Sequence, residues 1–316
     1  NINQQGFRSK DDYKEKINLN NKKIFFLGPS SLVGIPCLSD EEALPNLVEK
    51  KLNEKKNLYS VFNFGLISSK INTQFSLLYQ ILLENTPEYV ILTSGYNDII
   101  SGYHGQKFEY YNDVDHIFRN AFEFHKQSDN IIYNLNNLVA SISNKVFNKF
   151  FYNRKIGQSN LLVNDLILKR RKLLKKINKK ENTYNFCQKN HLNYLKICFF
   201  LVKNLNIKCI FIPETSLLNT EKVLSDYETE YLKIDGNFGL YKNTNREEDM
   251  LEFNKIYNET YDLACNLAKS MNIDLINFEE IICKSTKKET IFFDDVHLTK
   301  FATNILAENI VNLVNK

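Results

Sequence analysis

The chain has 316 residues, 43% of them hydrophobic and 25% charged, enough to bury a full core in one large domain. Its formal charge of +4 is too mild to argue for nucleic acid or an anionic membrane surface, and no apolar stretch approaches the roughly 18–20 residues of a membrane span. The six cysteines (Cys37, Cys187, Cys198, Cys209, Cys265 and Cys283) show no C-x-x-C pair or zinc-like spacing, so no disulfide framework or thiolate metal site is expected.

The polar stretch Asn20-Asn21-Lys22-Lys23 gives way to the apolar run Ile24-Phe25-Phe26-Leu27, which ends at Gly28 like a buried strand feeding a tight turn. Ser39-Asp40-Glu41-Glu42 predicts a helix start, and Leu44, Leu47, Val48 and Leu52 follow at helical spacing. Val61-Phe62-Asn63-Phe64-Gly65 is a second strand. Residues 74–83 form a helix stopped at Thr86-Pro87, and residues 89–93 a third strand. Later come a helix over residues 194–205, a strand over 208–212 ending at Pro213, a helix over 253–268, a fifth strand at 273–276 and a terminal helix over 302–314. Strands alternating with helices predict a parallel sheet covered on both faces. The stretch 102–181 breaks this rhythm: it is rich in Asn, Phe, Tyr and Lys, and reads as a mostly helical insertion beside the site. One domain over residues 1–316 carrying that insertion is the expected organisation.

Three groups of residues carry chemistry. Ser30 follows the first strand in Gly28-Pro29-Ser30, and Asp294-Asp295-Val296-His297 lies near the C-terminus. A carboxylate three residues before a histidine can support the imidazole within one turn of chain, and that turn can be laid against a serine: nucleophile, base and orienter are recognised by role, not position. Between them, Ser94-Gly95-Tyr96-Asn97-Asp98 follows the third strand and offers the Asn97 amide to a developing oxyanion. Competing motifs fail. Gly28 and Gly34 lack the spacing and the Lys-Ser/Thr of a phosphate-binding loop, and no Gly-x-Ser-x-Gly elbow is present. Asp113, Asp115 and His116, with His104 and His125 nearby, read as solvated helix residues, not metal ligands. No metal or organic cofactor is expected.

These residues resemble the SGNH (GDSL-like) hydrolase family. Gly28-Pro29-Ser30-Ser31-Leu32-Val33-Gly34 looks like its nucleophile block, Gly95-Tyr96-Asn97-Asp98 like its Gly-x-Asn-Asp block and Asp294 to His297 like its terminal Asp-x-x-His block. The lead-in Gln5-Gly6-Phe7-Arg8 resembles that of bacterial members. The resemblance implies a flavodoxin-like three-layer α/β/α sandwich with a central parallel sheet of about five strands. It implies Ser30 as nucleophile, His297 as general base and Asp294, not Asp295, as the orienting carboxylate; Ser31 reads, from its residue type alone, as the cap of the helix after the first strand. An oxyanion hole is implied from the N–H groups of Ser30 and Ser68 and the Asn97 amide. The sequence departs from the family at Pro29, where Asp is usual, and at Ser68, where the second block usually has Gly; Gly65 is the alternative donor.

The implied activity is hydrolysis of an O-acyl ester, O-acetyl being the simplest case, on a glycan or a small molecule. Transfer of the acyl group to a sugar hydroxyl and a non-catalytic binding role on the same scaffold are the alternatives. The basic run Lys169-Arg170-Arg171-Lys172, Lys175-Lys176 and Lys179-Lys180 is a solvated face or a contact for an anionic polymer. The chain starts at Asn1 without a methionine, so periplasmic, membrane-anchored and cytoplasmic locations all stay open.

Overall fold

The computed structural model describes residues 2–3, 6–9, 11, 13–17, 20–56, 58–103, 183–234, 246–284 and 288–316. The chain divides into two units, Asn1–Tyr103 with Tyr184–Lys316, and His104–Thr183; the first contains the sheet. The expected helical insertion, its basic run and the Asp113–His116 group fall outside the described residues.

Five strands form one parallel sheet in the order β2-β1-β3-β4-β5, with β1 Lys22–Gly28, β2 Tyr59–Gly65, β3 Tyr89–Ser94, β4 Lys208–Pro213 and β5 Asp274–Leu275. This is the flavodoxin-like order, whose chain reversal between β1 and β3 opens a crevice at the carboxyl ends of the strands. The apolar runs become strands because both faces are covered. Ile24 and Phe26 of β1 join one core cluster with Val48 of helix α3 (Leu44–Leu52) and Leu306 and Ile310 of the terminal helix (Lys300–Val314). Phe25 points the other way and packs edge-on against Phe62 and Phe64 of β2. Phe211 of β4 meets Phe199 of the helix Thr183–Asn204 at 5.4 Å between ring centres.

The expected helices are present, most with extended ends: Ile71–Glu84, Thr183–Asn204, Arg246–Ser270 and Lys300–Val314. The Ser39-Asp40-Glu41-Glu42 signal yields a short 3-10 turn, Asp40–Glu42, before α3 begins at Leu44. The fifth strand is only two residues long. Four helices were not expected as such: α1 (Tyr13–Lys16), α5 (Tyr96–Tyr103), α7 (Asp226–Ile234) and α9 (Phe278–Cys283); the helix after the first strand, α2, is the single turn Ser30–Val33. With α4 Ile71–Glu84, α6 Thr183–Asn204, α8 Arg246–Ser270 and α10 Lys300–Val314, they complete a three-layer α/β/α sandwich.

Helix α2 is a single turn, too short to hold itself, and its neighbours fix it. The guanidinium of Arg8, in the lead-in, donates to the carbonyls of Val33, Gly34 and Cys37 and to Asp40 Oδ1. From β2, the Asn63 amide donates to the Leu32 carbonyl at 2.9 Å while its oxygen accepts the Gly65 N–H at 3.0 Å. Gly28 and Gly65 face each other across the β1–β2 register. A Cβ on Gly65 would lie 2.7 Å from the Val33 nitrogen, so only glycine lets α2 sit this close to the sheet. Gly65→Ala should therefore cost about 1–3 kcal/mol of stability through overpacking, measured by denaturant unfolding; a neutral substitution would show that α2 yields easily.

Candidate active site

Ser30 opens α2 at the carboxyl end of β1, and Asn97 sits in the first turn of α5, just past β3. The two strands flanking the crevice thus present a hydroxyl and an amide to one edge of the sheet. His297 reaches them from the loop before α10. Its Nε2 lies 2.8 Å from Ser30 Oγ and its Nδ1 2.7 Å from Asp294 Oδ2. Asp294 also accepts the backbone N–H groups of Val296 at 3.0 Å and His297 at 2.8 Å through Oδ1. Burial by itself would raise this carboxyl, but the bond and charge of His297 and the two N–H donors outweigh it and hold the pKa below its usual value.

That electrostatic state decides the tautomer. An ionised carboxylate only accepts, so the proton between Asp294 and His297 belongs to Nδ1. Nε2 is left as an acceptor, aimed at the Ser30 hydroxyl. The neighbouring Asp295 takes no part in this pairing. It is fully buried, Tyr96 Oη donates to it at 3.5 Å, and its backbone carbonyl accepts Ser216 Oγ and the Leu217 N–H, each at 2.8 Å.

The structure places each of the expected oxyanion donors. Pro29 lacks an N–H but its carbonyl accepts the Leu32 N–H, and Ser30 keeps its own N–H at the first turn of α2. Asn97 donates one amide hydrogen to the Ser69 carbonyl at 3.2 Å, which orients the side chain and leaves its second hydrogen for another acceptor. Ser68 lies one residue away, exposed, with φ 55°. This is the left-handed region that favours glycine, so the backbone at Ser68 adopts the shape a glycine would take. Its turn is pinned to β1 by the Leu66 N–H and Ser69 Oγ, both donating to the Gly28 carbonyl. Gly65, the alternative donor, is spoken for: its N–H is bonded to Asn63 Oδ1.

One expectation needs correction, and two residues need adding. Ser31 does not cap α2, since no side-chain cap bond is made there; its hydroxyl donates to Glu214 Oε1 at 3.2 Å. Glu214 itself was missed. It directly follows Pro213 at the carboxyl end of β4, the sheet edge where such folds place functional groups, and that position was the available signal. Glu228, in α7, was also missed. Its carboxylate accepts the N–H groups of Ile291 and Phe292 and pairs with Lys222, anchoring the start of the loop that carries Asp294 and His297. Among the described residues, no group of three or more His, Cys, Asp or Glu side chains is placed to hold a metal ion, and no helix is long and apolar enough to cross a membrane.

No family model and no curated protein matches the chain. Solved structures do. Axe2, an acetylxylan esterase from Geobacillus stearothermophilus, superposes with a TM-score of 0.50 at 11% identity, covering 95% of this chain and 97% of that one. The acetyl xylan esterase AlAXEase gives 0.49 at 14% identity over 92% and 99%. The lipase/acylhydrolase from Enterococcus faecalis gives 0.47 at 12% over 93% and 95%. At these identities the likeness to Axe2 establishes a shared fold and nothing finer.

Two outcomes are expected of this geometry. Asp294→Asn should lower turnover of a small ester by about 10³-fold or more, because an amide in place of the carboxylate mis-sets the imidazole. Asp295→Asn should instead appear mainly as lower thermal stability; the reverse ranking would contradict the pairing. Ser68→Gly should preserve or raise both turnover and melting temperature, since it relieves a left-handed non-glycine residue. A collapse of turnover would give the Ser68 side chain itself a role.

Proposed function

We propose that the chain is a serine-dependent ester hydrolase acting through an acyl-serine intermediate. The observation that carries this reading is the unbroken Ser30–His297–Asp294 hydrogen-bond chain at the crevice where β1 and β3 diverge. His297 Nε2 takes the Ser30 proton as Oγ attacks the ester carbonyl. Asp294 holds the imidazole in the required tautomer and stabilises the imidazolium that forms. The Ser30 and Ser68 N–H groups and the free Asn97 amide hydrogen receive the negative charge on the tetrahedral oxygen. Imidazolium then protonates the leaving alcohol. In the second half of the cycle His297 activates water, which releases the acid and restores Ser30.

The substrate class we propose is an O-acyl ester, acetyl first, on a glycan or small molecule. The acetylxylan esterase that shares the fold supports this class. Transfer to a sugar hydroxyl uses the same acyl-serine and differs only in the acceptor that replaces water, so product analysis with and without an added glycan separates the two.

Ser30→Ala should reduce turnover of a small aryl acetate by about 10³-fold or more with the fold intact, read by initial rates and circular dichroism. Near-normal turnover in that variant would sink the reading.

A further inference from the structure

Glu214 is a buried carboxyl that the proposed chemistry does not use. Its backbone is fixed on both sides: its N–H donates to the Ser94 carbonyl at 3.1 Å, and its carbonyl accepts Tyr257 Oη from α8 at 2.5 Å. From that anchored position the two carboxylate oxygens diverge. Oε1 accepts the Ser31 hydroxyl of α2 at 3.2 Å, and Oε2 accepts the Tyr96 N–H at the start of α5, at 3.1 Å. One side chain therefore bridges the residue after the nucleophile to the residue before the oxyanion amide.

We infer that Glu214 is a positioning residue, holding α2 and α5 at the separation that lets Ser30 and Asn97 act on one carbonyl. The inference rests on the esterase reading and adds a residue to it. The single turn of α2 is tied from below by Asn63 and at its end by Arg8; Glu214 is the tie that reaches across to α5. A misplacement of about 1 Å between reacting groups can cost about 10²-fold in rate, so a bridge between their two supports belongs with catalysis as well as stability.

The environment agrees with a group set in place at a cost. Glu214 is buried, and a cavity of about 40 Å³ beside it and Ser31 is lined by Leu32, Thr93, Ile212, Val296 and Leu306. Burial pushes its pKa up to about 7, against the lowering bonds from Tyr96 and Ser31; Asp98 of α5 adds to the rise and His297 opposes it. Tyr257 and Tyr261 of α8 and His191 of α6 line the space on its other side. For an acid raised from 4.5, the stabilisation of the folded state is full below pH 4.5 and is lost as the pH rises through about 7.

The test compares Glu214→Ala, Glu214→Gln and Ser31→Ala with the wild-type chain. Glutamine can present its carbonyl oxygen to the Tyr96 N–H and its NH₂ to the Ser31 oxygen, remaking both bonds. Glu214→Ala should lower kcat for an aryl acetate by about 10²-fold with little change in KM. Glu214→Gln should recover most of that loss, and its stability should lack the decline between pH 4.5 and 7 that is expected of the wild type. Ser31→Ala cuts one arm only and should lower kcat several-fold; it decides the matter if Glu214→Ala does not fold. Amide hydrogen exchange at Tyr96 should accelerate in Glu214→Ala and stay slow in Glu214→Gln. Wild-type kcat and Tyr96 exchange in a folded Glu214→Ala, or in its absence wild-type kcat in Ser31→Ala, would overturn the inference. If the wild-type chain hydrolyses no ester, the esterase reading fails by itself, and Tyr96 exchange still judges the bridge.

Discussion

The site depends on the parallel register of β1 against β3. Gly28 ends one strand and Ser94 the other at the same edge of the sheet, where neighbouring connections depart to opposite faces. That pairing brings the strand ends that carry Ser30 and Asn97 to one edge, and side chains from Arg8, Asn63 and Glu214 then fix the short segments on which they sit. The rest brings the third partner, His297, to that edge from 267 residues further along the chain. Glu228 does this at the start of its loop, and the Leu217 and Ser216 bonds to the Asp295 carbonyl do it in the middle.

Two buried carboxylates near the site are held in opposite regimes. Asp294 is kept ionised because its burial is outweighed by an imidazole and two N–H donors. Glu214 has two donors as well, but among the described residues no cation pairs with it directly, and burial dominates. Carboxyl groups near one site are thus shifted in opposite directions, set by environment and not by identity.

Much of the framework was legible in the chain. The apolar runs at residues 24–27, 61–65, 89–93 and 208–212 became strands because a sheet buried on both faces leaves no polar alternation to misread. The Asp294-to-His297 spacing was legible because its geometry is local, closing within three residues. Long-range partners were not. Ser31 reads as a cap in sequence, yet its acceptor Glu214 is 183 residues away, and nothing in the local pattern announces that bond. Gly65 reads as a possible donor until the fold shows its N–H bonded to Asn63 and its missing side chain needed by α2. Helix α5 was hidden for a different reason: Ser94-Gly95-Tyr96-Asn97 carries turn residues, while the Tyr96 N–H at the helix start is accepted by the distant Glu214.

The esterase reading stands or falls on Ser30 being a nucleophile activated by His297. Covalent labelling with a fluorophosphonate, followed by peptide mass mapping, examines that step alone. A single adduct on Ser30 is expected, slowed sharply in a His297→Ala chain and absent from the Ser30→Ala chain. No adduct on the folded protein, or an adduct on Ser31 or another serine, would contradict it.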